Sequence, residues 1–140
     1  MRVSDVMTRG VEFVPADATI QEAATAMAEH DIGAILVGSA ERLEGILTNR
    51  DIILRVVVEG RHPAKTRVGG VMSSTLFTCT SDDGPEEALA LMEERQVRRL
   101  PVLEDERVVG IVTRRDLLRE EIGHAGAAAA RSAAVPPEPR

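Results

Sequence analysis

Residues 3–54 and 68–119 align without a gap at an offset of 65 positions, with sixteen identities among the 52 aligned pairs. Val3/Val68, Val6/Val71 and Met7/Met72 open the two copies, and Glu22/Glu87, Ala23/Ala88 and Met27/Met92 fall at helical spacing. Both copies close on one phrase, Gly45-Ile-Leu-Thr-Asn-Arg-Asp51 and Gly110-Ile-Val-Thr-Arg-Arg-Asp116. A solenoid needs three or more units to bury its faces, so two copies predict a pair of half-domains sharing one core.

Each copy reads as strand, helix, strand, strand, helix, an α+β class with a β-α-β-β-α unit used twice. In the first, residues 11–14 form a short strand, and Thr19-Ile-Gln-Glu22 has the spacing of a capping box that opens a helix. Ile20, Ala23, Ala24, Met27 and Ala28 supply its apolar stripe. In the second, Gly84 stands at the cap and Pro85 in the first turn, where a missing N–H costs nothing, followed by Ala88, Leu89, Leu91 and Met92. Two apolar runs follow each helix, 32–37 with 43–47 and 97–103 with 108–112. They pair as hairpins across polar turns, and their density predicts burial on both faces. A closing helix over 50–58 stops at Gly60.

These readings place repeat one at residues 3–60, a polar linker at 61–67, repeat two at 68–122 and a disordered Ala- and Pro-rich tail at 123–140. The tail has no apolar periodicity from which to build a core.

The core must be aliphatic, because the chain has no Trp, no Tyr and only Phe13 and Phe77 as aromatics. With a net charge of −6, that argues against nucleic acid, which needs a basic groove interleaved with stacking rings. No apolar run reaches membrane-spanning length and no signal segment follows the first residues, so the expected setting is cytosolic, without membrane attachment. Cys79 stands alone and reads first as a small buried hydrophobe at a strand position, not as a redox sensor. His30, His62 and His124 are scattered, with no triad, no zinc spacing and no phosphate loop, so neither an enzyme nor a metal centre is expected.

The closing phrase does carry chemistry, because a strand ending in a hydroxyl just before a helix sets Thr48 and Asp51, or Thr113 and Asp116, on one rim. A carboxylate there can accept ribose hydroxyls, the helix start offers free N–H groups to an anion, and Arg50, Arg114 and Arg115 can hold phosphate oxygens. Gly45 and Gly110 keep side chains away where backbone runs close. The same Thr-x-x-Asp spacing is also a plain capping box needing no ligand. The repeated glycine and the arginine before each Asp favour binding, since a cap requires neither.

With Val-x-Asp-Val-Met-Thr and Val-Gly-Gly-Val-Met-Ser opening the copies and Gly-Ile-hydrophobe-Thr-x-Arg-Asp closing both, the chain resembles a tandem cystathionine β-synthase (CBS) domain pair over residues 3–120. The resemblance implies two pseudo-symmetric repeats packed as a pair, helices outside facing sheets, with two clefts that sense an adenosine compound such as AMP, ADP or ATP. It assigns the adenine to segments 7–13 and 72–78 and to Ile35 and Leu100. It further implies a homodimer through outer helices, with Ile52, Ile53, Val56, Val57, Val58, Met27 and Leu91 as interface candidates, and an effector protein that reads the state. The residues expected to bind nucleotide are therefore Gly45, Thr48, Arg50, Asp51, Gly110, Thr113, Arg114, Arg115 and Asp116. The second copy is the more basic, since Arg114 replaces Asn49 and Arg98-Arg99 replace Gly33-Ala34. A ligand-independent dimerisation scaffold and an orphaned regulatory subunit are the other readings the residues leave open.

Overall fold

A computed structural model describes residues 1–119; the expected tail lies outside them, as do residues 120–122 of the second repeat. The first copy runs β1 (Phe13–Val14), α1 (Ile20–Glu29), β2 (Ala34–Gly38), β3 (Leu43–Thr48) and α2 (Asn49–Ile52). The second runs β4 (Cys79–Thr80), α3 (Pro85–Arg95), β5 (Arg99–Glu104) and β6 (Arg107–Thr113), with a helix from residue 114. The β-α-β-β-α order is therefore present twice, and the fold is α+β. Its sheets have three strands each, in the orders β1-β2-β3 and β4-β5-β6. The first strand of each sheet lies parallel to the second and the second antiparallel to the third.

Helix α1 starts where the capping box puts it. The Glu22 N–H donates to Thr19 Oγ1 at 3.1 Å and the Thr19 N–H returns to Glu22 Oε1 at 3.0 Å. The Thr19 N–H bond, and after it a bond from the Thr19 hydroxyl to Glu22 Oε1 at 3.0 Å, hold the Glu22 carboxyl below its ordinary value. Ile20, Ala23 and Met27 are buried, Ala24 is partly so and Ala28 is exposed. The stripe is thus narrower than its periodicity predicts: one residue past Met27 lies about 100° round the helix and faces water. Helix α3 starts on Gly84 and Pro85 and buries Ala88 and Met92.

Burial on both faces holds for the central strands only. In β2, Ile35, Leu36 and Val37 are all buried, whereas β3 and β6 alternate. The hairpin register slips at the same place in each copy, between Val37 and Gly38 and between Val102 and Leu103. The slip leaves Glu44 and Val109 unpaired as bulge residues directly before Gly45 and Gly110.

The buried residues include two clusters, one on each sheet. Each sheet is covered by its own helix and by a short opening segment, so each closes a core of its own. The described chain correspondingly divides into two compact units, one of residues 11–76, the other of residues 1–10 with 77–119. The opening segments have changed sides.

The segment of repeat two starts with a 3-10 turn, Val68–Gly70, and docks on the sheet of repeat one. The Val68 N–H donates to Ala18 O at 2.8 Å and the Gly69 N–H to Ala16 O at 2.8 Å. The matching turn, Val3–Asp5, docks on repeat two, with Val3 N–H donating to Asp83 O at 2.8 Å and Ser4 N–H to Ser81 O at 3.1 Å. Val3 and Val68 are wholly buried. Burying a valine stabilises by roughly 1.5–3 kcal/mol against about 1 for a net hydrogen bond, so the apolar anchors dominate and the bonds fix register.

The closing helix of repeat one starts at Asn49 and widens after Ile52 into a π-helical turn over Ile53–Val57. Val56 points into the core, while Ile53, Leu54, Val57 and Val58 face out. Of the interface candidates, Val56 and Met27 are thereby spent on the core, and Ile52 is half-buried against it. The linker is seated too: Thr66 is buried, its carbonyl accepts the Ile20 N–H at 2.8 Å, and Arg67 bridges to Thr19.

Candidate functional site

Both closing phrases fold into the same strand-to-helix corner. At the end of β3, the Asn49 N–H donates to Gly33 O at 3.0 Å, and at the end of β6 the Arg114 N–H donates to Arg98 O at 2.7 Å. Each corner thus brings its own predicted residues together: Gly45, Thr48, Arg50 and Asp51 in one unit, Gly110, Thr113, Arg114, Arg115 and Asp116 in the other. Thr48, Asp51, Thr113 and Asp116 are half-buried, while Arg50 and Arg114 are exposed.

The corners differ in what remains free. In the first, the Asp51 N–H donates to Thr48 Oγ1 at 3.1 Å and the Thr48 N–H to Asp51 Oδ2 at 3.0 Å, so hydroxyl and carboxylate are both engaged. The capping-box reading is fulfilled there. In the second, the Asp116 N–H donates to Thr113 Oγ1 at 3.1 Å, and among the described residues the Asp116 carboxylate accepts nothing. Arg115 is half-buried, and its Nε has no hydrogen-bond partner among the described residues. Carboxylates of this kind accept ribose hydroxyls, and a guanidinium donates to phosphate oxygens.

Gly45 and Gly110 serve another contact. A Cβ on Gly45 would lie 2.6 Å from Met72 Sδ and 2.8 Å from Ser73 O; one on Gly110 would lie 2.8 Å from Met7 Sδ and from Thr8 O. Ser73 pairs with Ile46 through two backbone bonds of 2.9 and 3.0 Å, and Thr8 pairs with Ile111 at 2.8 and 3.0 Å. Arg55 Nη1 also donates to Val71 O at 2.8 Å. Sequence reasoning missed Arg55, and it placed Thr8 and Ser73 in the adenine segments without foreseeing that their carbonyls lie against the glycines. The available signal was the shared opening phrase beside a glycine that no turn requires.

Cys79 lies buried in β4, the match of Val14 in β1, and desolvation pushes its thiol up to about 12, with Asp83 adding to the shift. Among the described residues no group of His, Cys, Asp and Glu is placed to hold a metal ion, and no helix is long and apolar enough to cross a membrane.

The CBS domain family profile matches residues 3–58 and 68–123. The chain belongs to the CBS-domain family. A CBS domain-containing protein of Bacillus subtilis, YhcV, is 41% identical over 128 residues, covering 91% of either chain. The crystal structure of Hypoxic Response Protein I with two coordinated zinc ions is similar at 38% identity and TM-score 0.75, over 85% of this chain and 98% of that one. The zinc ions belong to that protein. The CBS domain pair of protein MJ0100, solved with 5′-methylthioadenosine and S-adenosyl-L-methionine, is 25% identical at TM-score 0.78, over 89% and 98% of the two chains. Of the adenine positions the CBS resemblance implied, Ile35 and Leu100 lie inside the two cores, whereas Met7 and Met72 are half-exposed beside the corners.

Proposed function

We propose that this chain is a regulatory module without catalysis of its own, working in the cytosol. It binds an adenosine-containing ligand of the AMP, ADP or ATP class and passes a change in shape to an effector protein. The observation that carries this reading is the duplicated corner, where a strand-end threonine, an arginine and an aspartate stand together beside a glycine-backed strand. Support comes from the CBS pair solved with two adenosine compounds. A ligand shifts the equilibrium between two states only by its differential affinity for them, commonly ~1–3 kcal/mol.

Calorimetric titration of the purified chain with AMP, ADP, ATP and S-adenosylmethionine tests this. Saturable heat is expected for at least one of them, lost in Asp51→Asn or Asp116→Asn variants that still fold. Silence across all four at millimolar concentration overturns the nucleotide reading.

A ligand-independent scaffold is favoured by two features, the self-satisfied Thr48–Asp51 pair and the exposed apolar face of Ile53, Leu54, Val57 and Val58. On either reading that face is the proposed contact with a second copy, since exposed aliphatics in a group mark association surfaces. Sedimentation of wild type against Val57→Lys distinguishes a dimer made there from a monomer.

A further inference from the structure

The five methionines sort by surroundings. Met1 is 47% exposed, Met27 and Met92 are 5% and 1% exposed inside the cores, and Met7 and Met72 are half-buried at equivalent places. Those two each lay a thioether on a glycine, Sδ of Met72 at 2.6 Å from where a Cβ on Gly45 would stand and Sδ of Met7 at 2.8 Å from one on Gly110. The next residue along each segment makes the two-bond bridge to the sheet, Ser73 with Ile46 and Thr8 with Ile111. The fit at each contact leaves no space for an added atom on the glycine side.

We propose that Met7 and Met72 are paired oxidation sites, at which conversion of the thioether to the sulfoxide releases the opening segments from β6 and β3. The reagent class is a small two-electron oxidant such as hydrogen peroxide. A sulfur lone pair attacks one peroxide oxygen, the S–O bond forms as the O–O bond breaks, and the sulfur gives up two electrons. The transferred oxygen loses its proton to the departing hydroxide, which leaves as water. A flexible apolar side chain becomes polar and larger.

The new oxygen is a strong acceptor in a poor place. Turned toward the sheet, it enters the filled space over Gly45 or Gly110, where Ser73 O or Thr8 O is already an acceptor alongside. Turned toward water, it draws the side chain off the glycine. Both outcomes weaken the bridge, and the duplication makes them occur twice.

Graded hydrogen peroxide treatment of the full chain, followed by peptide mass spectrometry and amide hydrogen exchange, tests it. Met7 and Met72 are expected to convert well before Met27 and Met92. The Ile46, Ser73, Thr8 and Ile111 amides should then exchange at least ~10-fold faster, as local opening predicts. A Met7→Leu/Met72→Leu variant, close in volume, should keep those amides protected under the same treatment, and enzymatic sulfoxide reduction should restore protection in the wild type. Conversion of Met7 and Met72 with unchanged exchange, oxidation of the core methionines first, or equal loss of protection in the double variant each overturns the proposal.

Discussion

Thr48 and Asp51 hold one another by a reciprocal pair of hydrogen bonds of 3.1 and 3.0 Å, whereas Thr113 and Asp116 make only the 3.1 Å bond from the Asp116 N–H among the described residues. Asp51→Ala therefore removes a cap partner and should cost ~1 kcal/mol. Asp116→Ala removes a carboxylate that holds nothing in the described fold and should stay within about 0.5 kcal/mol of wild type. Urea denaturation of the two variants measures the difference. Equal destabilisation would contradict the asymmetry.

Gly45→Ala and Gly110→Ala should each destabilise by ~1–3 kcal/mol, the range of overpacking in a tight contact. The thioether can swing aside, but Ser73 O and Thr8 O are backbone atoms held by their own pairing bonds. The loss should appear as faster exchange at Ile46 in one variant and at Ile111 in the other.

Cys79 should resist iodoacetamide at pH 7–8 in the folded protein and react once denaturant exposes it, because burial pushes the thiol from 9.0 up to about 12 and only the thiolate is nucleophilic. The unfolded chain ionises this thiol first, so the stability from keeping it neutral is whole below about pH 9 and drains away as pH rises towards 12. Cys79→Val, which copies Val14 from the matching strand, should remove that part of the alkaline loss.

Val56 and Val57 are neighbours with opposite duties, one wholly buried and the other 63% exposed. Val56→Ala should cost ~2 kcal/mol, the scale of a buried valine. Val57→Lys should leave the melting transition within about 0.5 kcal/mol of wild type while weakening any self-association seen by sedimentation. A destabilised Val57→Lys monomer would move Val57 from surface to core.

The elements governed by local chemistry were legible in the residues. Thr19 and Glu22 announce the start of α1, Gly84 and Pro85 that of α3, and the apolar runs around Ser39–Arg42 and Glu104–Arg107 give both hairpins. Choices made between distant segments were not legible. A fixed offset shows that Met7 and Met72 are equivalent, yet it says nothing of which sheet receives each, and so the exchange of openings stayed hidden. The π turn after Ile52 was likewise unreadable, since the apolar spacing of Ile52, Ile53 and Val56 suits an ordinary helix equally well. At the corners, the phrase put Thr48, Asp51, Thr113 and Asp116 at a strand end and helix start, where the fold has them. It was silent on which carboxylate would be engaged, because that depends on side-chain geometry that two nearly identical phrases share on paper.

The crossed openings bear on ancestry and on dissection alike. A single repeat carries at its start a cover made for the other sheet, so on its own it would be complete only by trading that cover with a second molecule. Severing the chain at 61–67 would therefore give two fragments that need each other, each recovering its order on mixing, rather than two free-standing halves.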